Sequence, residues 1–182
     1  YQPDADHNRL VVEVIGEPEA VIAAVLESVK VATEIIDMSK HEGAHPRMGA
    51  VDVIPFVPVT ECTTEECVEY ANKVGNAIGE MGIPVYLYED AATSPDRKNL
   101  AKVRKGQYEG FFDKIKEPEW KPDFGPQEMN VKSGATAVAA RFHLIAFNVN
   151  LNTSDLAIAD KIAKTVRHIG GGLRFCKAIG LE

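Results

Sequence analysis

Strand-like apolar runs separated by amphipathic helical stripes fill the first half of this chain, and that alternation constrains its fold more than any other feature. Arg9 to Ile15 alternates and is rich in valine, which is the period of a strand. Gly16 and Pro18 then open a helix, because proline's fixed φ suits a first turn. Ile22, Val25, Leu26, Val29, Ala32 and Ile36 recur at helical spacing and form a stripe that faces a core. Ala50 to Val59 is apolar and β-branched, which predicts a buried strand; Pro55 and Pro58 predict that its far end leaves the ladder. Thr63 with Glu66 reads as a capping box opening a helix that runs to about Met81 and stops at Gly82. Pro84 to Tyr88 reads as a short strand, with Tyr86 and Tyr88 on one face as core or rim residues.

Further along, Asp96 to Lys105 predicts a helix capped by Asp96 or Ser94, and Gln107 to Lys116 another short one. Glu117 to Gly134 has no period and contains Pro118, Pro122, Gly125 and Pro126. A structureless loop of this length in a compact domain is functional or disordered, and Trp120 and Phe124 favour order. Ala135 to Arg141 and Leu144 to Leu151 read as two strands joined by a tight turn. Thr153 or Ser154 caps a helix to about His168, Gly170 to Gly172 end it, and Leu173 to Ile179 form a last strand. The order β-α-β-α-β-α-β-β-α-β predicts an α/β protein of α+β type, a mixed β-sheet covered by helices. A subdomain boundary is expected near 148–153, dividing the chain into 1–150 and 151–182. Tyr1 opens the chain without a methionine, and a strand-like run is still in progress at Leu181-Glu182, so the sequence is expected to be part of a longer polypeptide.

Composition removes several classes of function. The net charge of -7, from 20 basic and 27 acidic residues, argues against broad nucleic-acid binding, which needs a cationic surface. A local arginine cluster can still hold a small anion. No apolar run approaches the ~18 residues of a membrane span, and no signal peptide opens the chain. Three cysteines, Cys62, Cys67 and Cys176, give no disulfide framework and suggest a reducing compartment. Cys62 and Cys67 have no matching second pair, so a zinc site is not expected there.

The densest chemistry lies in Ser39-Lys40-His41-Glu42-Gly43-Ala44-His45-Pro46-Arg47-Met48-Gly49, between a helix and a buried strand. Pro46 restricts His45 to an extended conformation. A histidine so held is a candidate general acid and base, because its pKa lies near neutrality. Arg47 can grip a carboxylate with two parallel hydrogen bonds. His41 and His45 at i, i+4, with Glu42 after the first, superficially match a zinc-protease motif, but Gly43 and Pro46 disfavour the helix it needs. The alternative for the whole segment is a polar loop whose histidines only bond backbone groups. Asp52 and Glu89, at strand ends, could orient a histidine or serve as polar rims.

Asp37-Met38-Ser39-Lys40-His41, His45-Pro46-Arg47-Met48-Gly49-Ala50, Asp52-Val53 and Pro55-Phe56 resemble the signature of glutamate formimidoyltransferases. The likeness continues through Asp6-His7-Asn8-Arg9, Pro84-Val85-Tyr86-Leu87-Tyr88-Glu89, Lys102-Val103-Arg104-Lys105-Gly106 and Trp120-Lys121-Pro122-Asp123-Phe124-Gly125-Pro126. It extends through Gly134-Ala135-Thr136, Ala140-Arg141, Leu144-Ile145-Ala146-Phe147-Asn148 and Lys177-Ala178-Ile179-Gly180. The resemblance implies that His45 is catalytic. It also implies that Gly125, Pro126, Gln127, Glu128, Met129, Asn130, Val131, Lys132, Ser133 and Gly134 form a folate-binding loop. It further implies tetrahydrofolate as co-substrate, no metal, a homodimer, and a cytoplasmic place in histidine degradation and one-carbon metabolism. The chain departs from the family in lacking an opening strand and helix with an Asn-Phe-Ser-Glu-Gly-like string; from Leu151 it carries only the start of a second subdomain.

The reaction so implied moves a formimino group from N-formimino-L-glutamate to tetrahydrofolate, giving 5-formimidoyltetrahydrofolate and L-glutamate. Because the donor carries two carboxylates, Arg47, Arg9, Lys40, His41 and Arg141 are its candidate binding residues. The rival readings are a formyltransferase using N-formylglutamate or 5-formyltetrahydrofolate, a folate-binding module without turnover, and a zinc hydrolase.

Overall fold

A computed structural model describes residues 1–5, 7–145 and 147–180. Asp6, Ala146, Leu181 and Glu182, which figure in the opening string, the expected strand over 144–151 and the chain's end, lie outside the described residues. The chain divides into two compact units, Tyr1–His143 and Leu144–Glu182.

In the first unit, β1 (Gln2–Asp4) and β2 (Arg9–Val11) form an antiparallel pair. The helix α1 (Pro18–Ile35) follows, with proline in its first turn. Next come β3 (Val53–Phe56), α2 (Thr64–Glu80) and β4 (Val85–Glu89). Two short helices, α3 (Leu100–Val103) and α4 (Gln107–Lys114), precede β5 (Thr136–Ala140). The last three strands make a parallel sheet in the order β3-β5-β4, with Val53 opposite Ala137 and Val85 opposite Thr136. Helices, an antiparallel pair and a parallel sheet together give the expected α/β class.

The sheet is covered on both faces, as parallel sheets require. On one face Ile54, Phe56, Val85, Leu87, Val138 and Ala140 meet Ile22 and Val29 of α1 and Cys67, Ala71, Val74 and Ile78 of α2. Of the stripe read from the sequence, Ile22, Val25, Leu26 and Val29 pack here, while Ile36, just past the helix, packs on the other face. On the other face Tyr86, Tyr88, Ala137 and Ala139 meet Met38, Met48, Val103, Tyr108, Phe111 and Met129. The small alanines of the central strand leave room for the two tyrosines beside them and for the methionines of the loops.

The capping box is present: Thr63 Oγ1 accepts from the Glu66 N–H at 3.2 Å, and Glu66 accepts from the Thr63 N–H at 2.8 Å. The strand expected over Ala50–Val59 is shortened to β3, Val53–Phe56; its far end leaves the ladder ahead of Pro58, while Pro55 sits within the strand, which its place on a sheet edge permits.

Several expectations need correction. The strand expected over Arg9–Ile15 ends at Val11. The helix expected over Asp96–Lys105 is broken into a 3-10 turn at Pro95–Arg97 and the four-residue α3, because the Asn99 side chain accepts from the Ala101 N–H at 2.9 Å and restarts the chain as a new cap. The hairpin after β5 does not form: the described residues of 144–151 contain no strand, and β5 lies between two parallel neighbours instead. The described part of the last expected strand, Leu173–Ile179, is a turn and coil, joined to the preceding helix by one bridge between Arg167 and Leu173.

In the second unit the helix α5 (Leu156–Val166) is capped by Asp155, not by Thr153 or Ser154. Asp155 reaches the Ala157 N–H at 2.9 Å, while Thr153 Oγ1 accepts from the Asp155 N–H. A 3-10 turn at His168–Gly170 and Gly171 at φ +88 end it.

Candidate active site

The segment from Met38 to Asp52 is ordered by contacts far away in sequence. It opens with a 3-10 turn, Met38–Lys40, capped by Asp37, which accepts from the Ser39 N–H at 3.1 Å. Met38 donates its N–H to the Lys132 carbonyl at 2.8 Å and Ala50 to that of Ser133 at 2.8 Å, while Ala135 donates to the Met48 carbonyl at 3.0 Å. Gly49 and Gly134 form a bridge, and Gly134 stands at φ +72, a conformation that side-chain-bearing residues rarely adopt. The His-Pro-Arg string is thus stitched to the loop 125–134 beside the amino-terminal ends of β3 and β5.

His45 is half-buried. Burial, and then the charges of Arg104 and Arg9, hold its pKa below the ordinary 6.5; Asp52 opposes them and His7 adds to them. The His7 ring stands edge-on with its centroid 6.4 Å away. Asp52 forms an ion pair with Arg104 and accepts from the Met48 N–H at 3.0 Å. The imidazole therefore sits, neutral at neutral pH, inside a charged cluster rather than an apolar one.

The residues singled out for substrate carboxylates are distributed unevenly. Arg47 is largely buried, and Glu109 occupies its fork with bonds of 2.6 and 2.9 Å; Arg47 also donates to the His41 carbonyl at 3.2 Å. Arg9, whose charge acts on His45, has among the described residues an ion pair to Asp4 at 4.0 Å. The exposed Lys40 pairs with Asp37 at 3.1 Å. His41 Nε2 is 3.0 Å from the Asn8 carbonyl, which ties this loop to the start of β2. Arg141 follows the carboxyl end of β5, the opposite end from the histidine loop, and donates to the Phe142 carbonyl at 2.9 Å.

The loop Gly125–Gly134 is well held. Gly125 is at φ +81, Gln127 donates to the Ile115 carbonyl at 3.1 Å, and Met129 is buried. Asn130 Oδ1 accepts from the N–H groups of Lys132 and Ser133, Tyr108 Oη donates to the Val131 carbonyl at 2.6 Å, and Lys132 Nζ donates to the Glu34 carbonyl at 2.6 Å. Pro126, Glu128 and Val131 are exposed. A cavity of about 170 Å³ lined by Thr33, Met81, Ile83, Asn130, Lys132 and Ser133 lies beside this loop. The Ser133 hydroxyl is buried and has no hydrogen-bond partner among the described residues. His45 does not line that cavity.

Sequence reasoning gave no role to Arg104, Glu109 or Lys114. Lys114 donates to the carbonyls of Lys102, Val103 and Lys105 and lies 3.7 Å from the Trp120 ring centre, so it closes the end of α3 around Arg104. Burial pushes its pKa down to about 8. A buried ion pair of Arg97 with Asp123 at 2.6 Å anchors the chain ahead of the loop and was equally hidden. The ion-pair partners of Glu109, Arg104 and Arg97 lie 62, 52 and 26 positions away, beyond any local spacing rule.

Fold and site define an α/β domain with a histidine-centred cationic site beside the amino ends of a parallel sheet. Residues 1–141 match the model of the formiminotransferase domain, N-terminal subdomain. The chain belongs to that family. It is 53% identical to a glutamate formimidoyltransferase of Streptococcus pyogenes serotype M1 over all of its length and 61% of the relative's. It is 49% identical to a glutamate formimidoyltransferase of Thermoplasma acidophilum over 97% of this chain and 59% of that one. A formimidoyltransferase-cyclodeaminase of Dictyostelium discoideum is 46% identical over 98% of this chain and 34% of its own. The chain thus spans about three fifths of the length of the first two relatives.

Proposed function

We propose that the protein carrying this chain transfers the formimino group of N-formimino-L-glutamate to tetrahydrofolate, with His45 moving the proton. The observation that carries this reading is a half-buried imidazole kept neutral by burial and by Arg104 and Arg9. A neutral ring can accept the proton released when the folate amine attacks the formimino carbon. It then returns that proton to the departing glutamate amine, and the histidine ends as it began. The names of the relatives support the same donor.

Arg9 is the cation best disposed to meet a donor carboxylate near His45, because the fork of Arg47 is taken by Glu109. Arg47 then orders the loop, and Lys40, His41 and Arg141 are left to the outer carboxylates. Residues 125–134 form the folate loop, which is joined by backbone bonds to the segment that carries His45. In this reading 1–150 is the N-terminal subdomain and 151–182 opens the C-terminal one. The homodimer and cytoplasmic setting belong to the same proposal.

The test is a transfer assay on the full-length protein with formimino and formyl donors compared. His45→Ala lowers kcat by about a hundred- to ten-thousand-fold with folate affinity nearly intact. Unchanged turnover removes His45 from this role, and preference for the formyl donor replaces the substrate assignment.

A further inference from the structure

Cys62 and Cys67 stand at the two positions of a hydrophobic staple. Thr63 is the N-cap of α2, so Cys62 is the residue before the cap and Cys67 the fourth of the helix. Apolar side chains commonly pack between those positions and set the angle at which the chain enters the helix. Here the two sulfurs are 3.7 Å apart, in hydrogen-bonding contact. A disulfide needs a separation of about 2.05 Å, so closure requires a movement of less than about 2 Å along a direction the staple already defines. Both thiols are free, Cys62 half-buried and Cys67 buried against Ala71, Val74 and the sheet.

We propose that Cys62 and Cys67 form a thiol modification site that a hydroperoxide converts to a disulfide across the first turn of α2. Cys62, the more accessible sulfur, attacks the peroxide oxygen. The O–O bond breaks, an alcohol or water leaves, and Cys62 becomes a sulfenic acid. Cys67 then attacks that sulfur, and its proton departs with the hydroxide as water. Two thiols and one peroxide give one disulfide, one alcohol and one water, the thiols oxidised and the peroxide reduced. Burial pushes the Cys67 thiol up to about 12 and keeps it protonated, which leaves the first attack to Cys62. The product joins the segment leaving β3 to the first turn of α2, on the sheet face opposite the one that Met38 and Met48 cover.

The test treats the full-length protein with graded hydrogen peroxide, alkylates the remaining thiols and maps the peptides. The expected result is a peptide carrying both cysteines that is lighter by two hydrogens and resists alkylation, with Cys176 alkylated; dithiothreitol restores both thiols, and Cys62→Ser abolishes the mass loss. Three results overturn the proposal: sulfinic acid at Cys62 with Cys67 alkylated, pairing of either residue with another cysteine, or no change at a peroxide dose that oxidises free glutathione.

Discussion

The proton of His45 is contested by opposite charges. Arg104 and Arg9 disfavour it, and Asp52, paired with Arg104, favours it. Removing one member of each sign therefore moves the histidine in opposite directions. Arg104→Gln raises its pKa, so the acidic limb of the pH profile of kcat/KM moves to higher pH. Asp52→Asn lowers it and moves the limb to lower pH. Profiles of the two variants and wild type, measured side by side in the full-length protein, check the pair of shifts; movement in a common direction refutes the arrangement. The restriction of His45 by Pro46 was legible locally. Arg104 was not, since its partner lies 52 positions away. The fork of Arg47 was legible as chemistry but not as destination, because Glu109 approaches from a helix 62 positions later.

At the scale of elements, the pairing of two loops matters more than any helix. The bridge between Gly49 and Gly134 joins the histidine segment to the loop ahead of β5, and Gly134 holds φ +72 there with the Met48 backbone packed against it. A Cβ at this position is strained by conformation and crowded by main chain, unlike one on an open surface. Gly134→Ala costs more than about 1 kcal/mol of stability, read as a lower urea midpoint, and it also lowers kcat/KM because the loop that carries His45 must shift. The helices were the most legible parts of the chain. Their apolar stripe, capping box and terminal glycine are patterns within a few residues, and α1 and α2 follow them. Short strands were legible when buried on both faces, as at β4 and β5. The runs 144–151 and 173–179 had strand-like composition too, but a ladder needs a partner edge, and composition cannot supply one.

For the molecule as a whole, the carboxyls and the histidine that are shifted downward give stability a common dependence on pH in the acid range. Hydrogen bonds from His7, Ser39, Thr63 and Arg47 hold the carboxyls of Asp4, Asp37, Glu66 and Glu109 below their ordinary values, and burial holds His45 below 6.5. Each group binds its proton more readily in the unfolded chain, so its contribution is present above the unfolded pKa and is lost as pH falls through the folded one. The expected outcome is a urea midpoint that declines from pH 7, first through the histidine range and then more steeply below about pH 4.5 as the carboxyls protonate. An unchanged midpoint between pH 7 and 4 contradicts it. Periodicity, capping and residue type act over a turn or two of chain, and they were enough to place α1, α2, β4 and β5, the cap of α2 and the chemistry concentrated between residues 39 and 49. The tertiary structure alone decided that β5 lies between β3 and β4, that Glu109 takes the fork of Arg47, and that Arg104 reaches Asp52 beside His45. Those outcomes depend on which distant surfaces meet when the two faces of the sheet are covered, and no spacing along the chain encodes that.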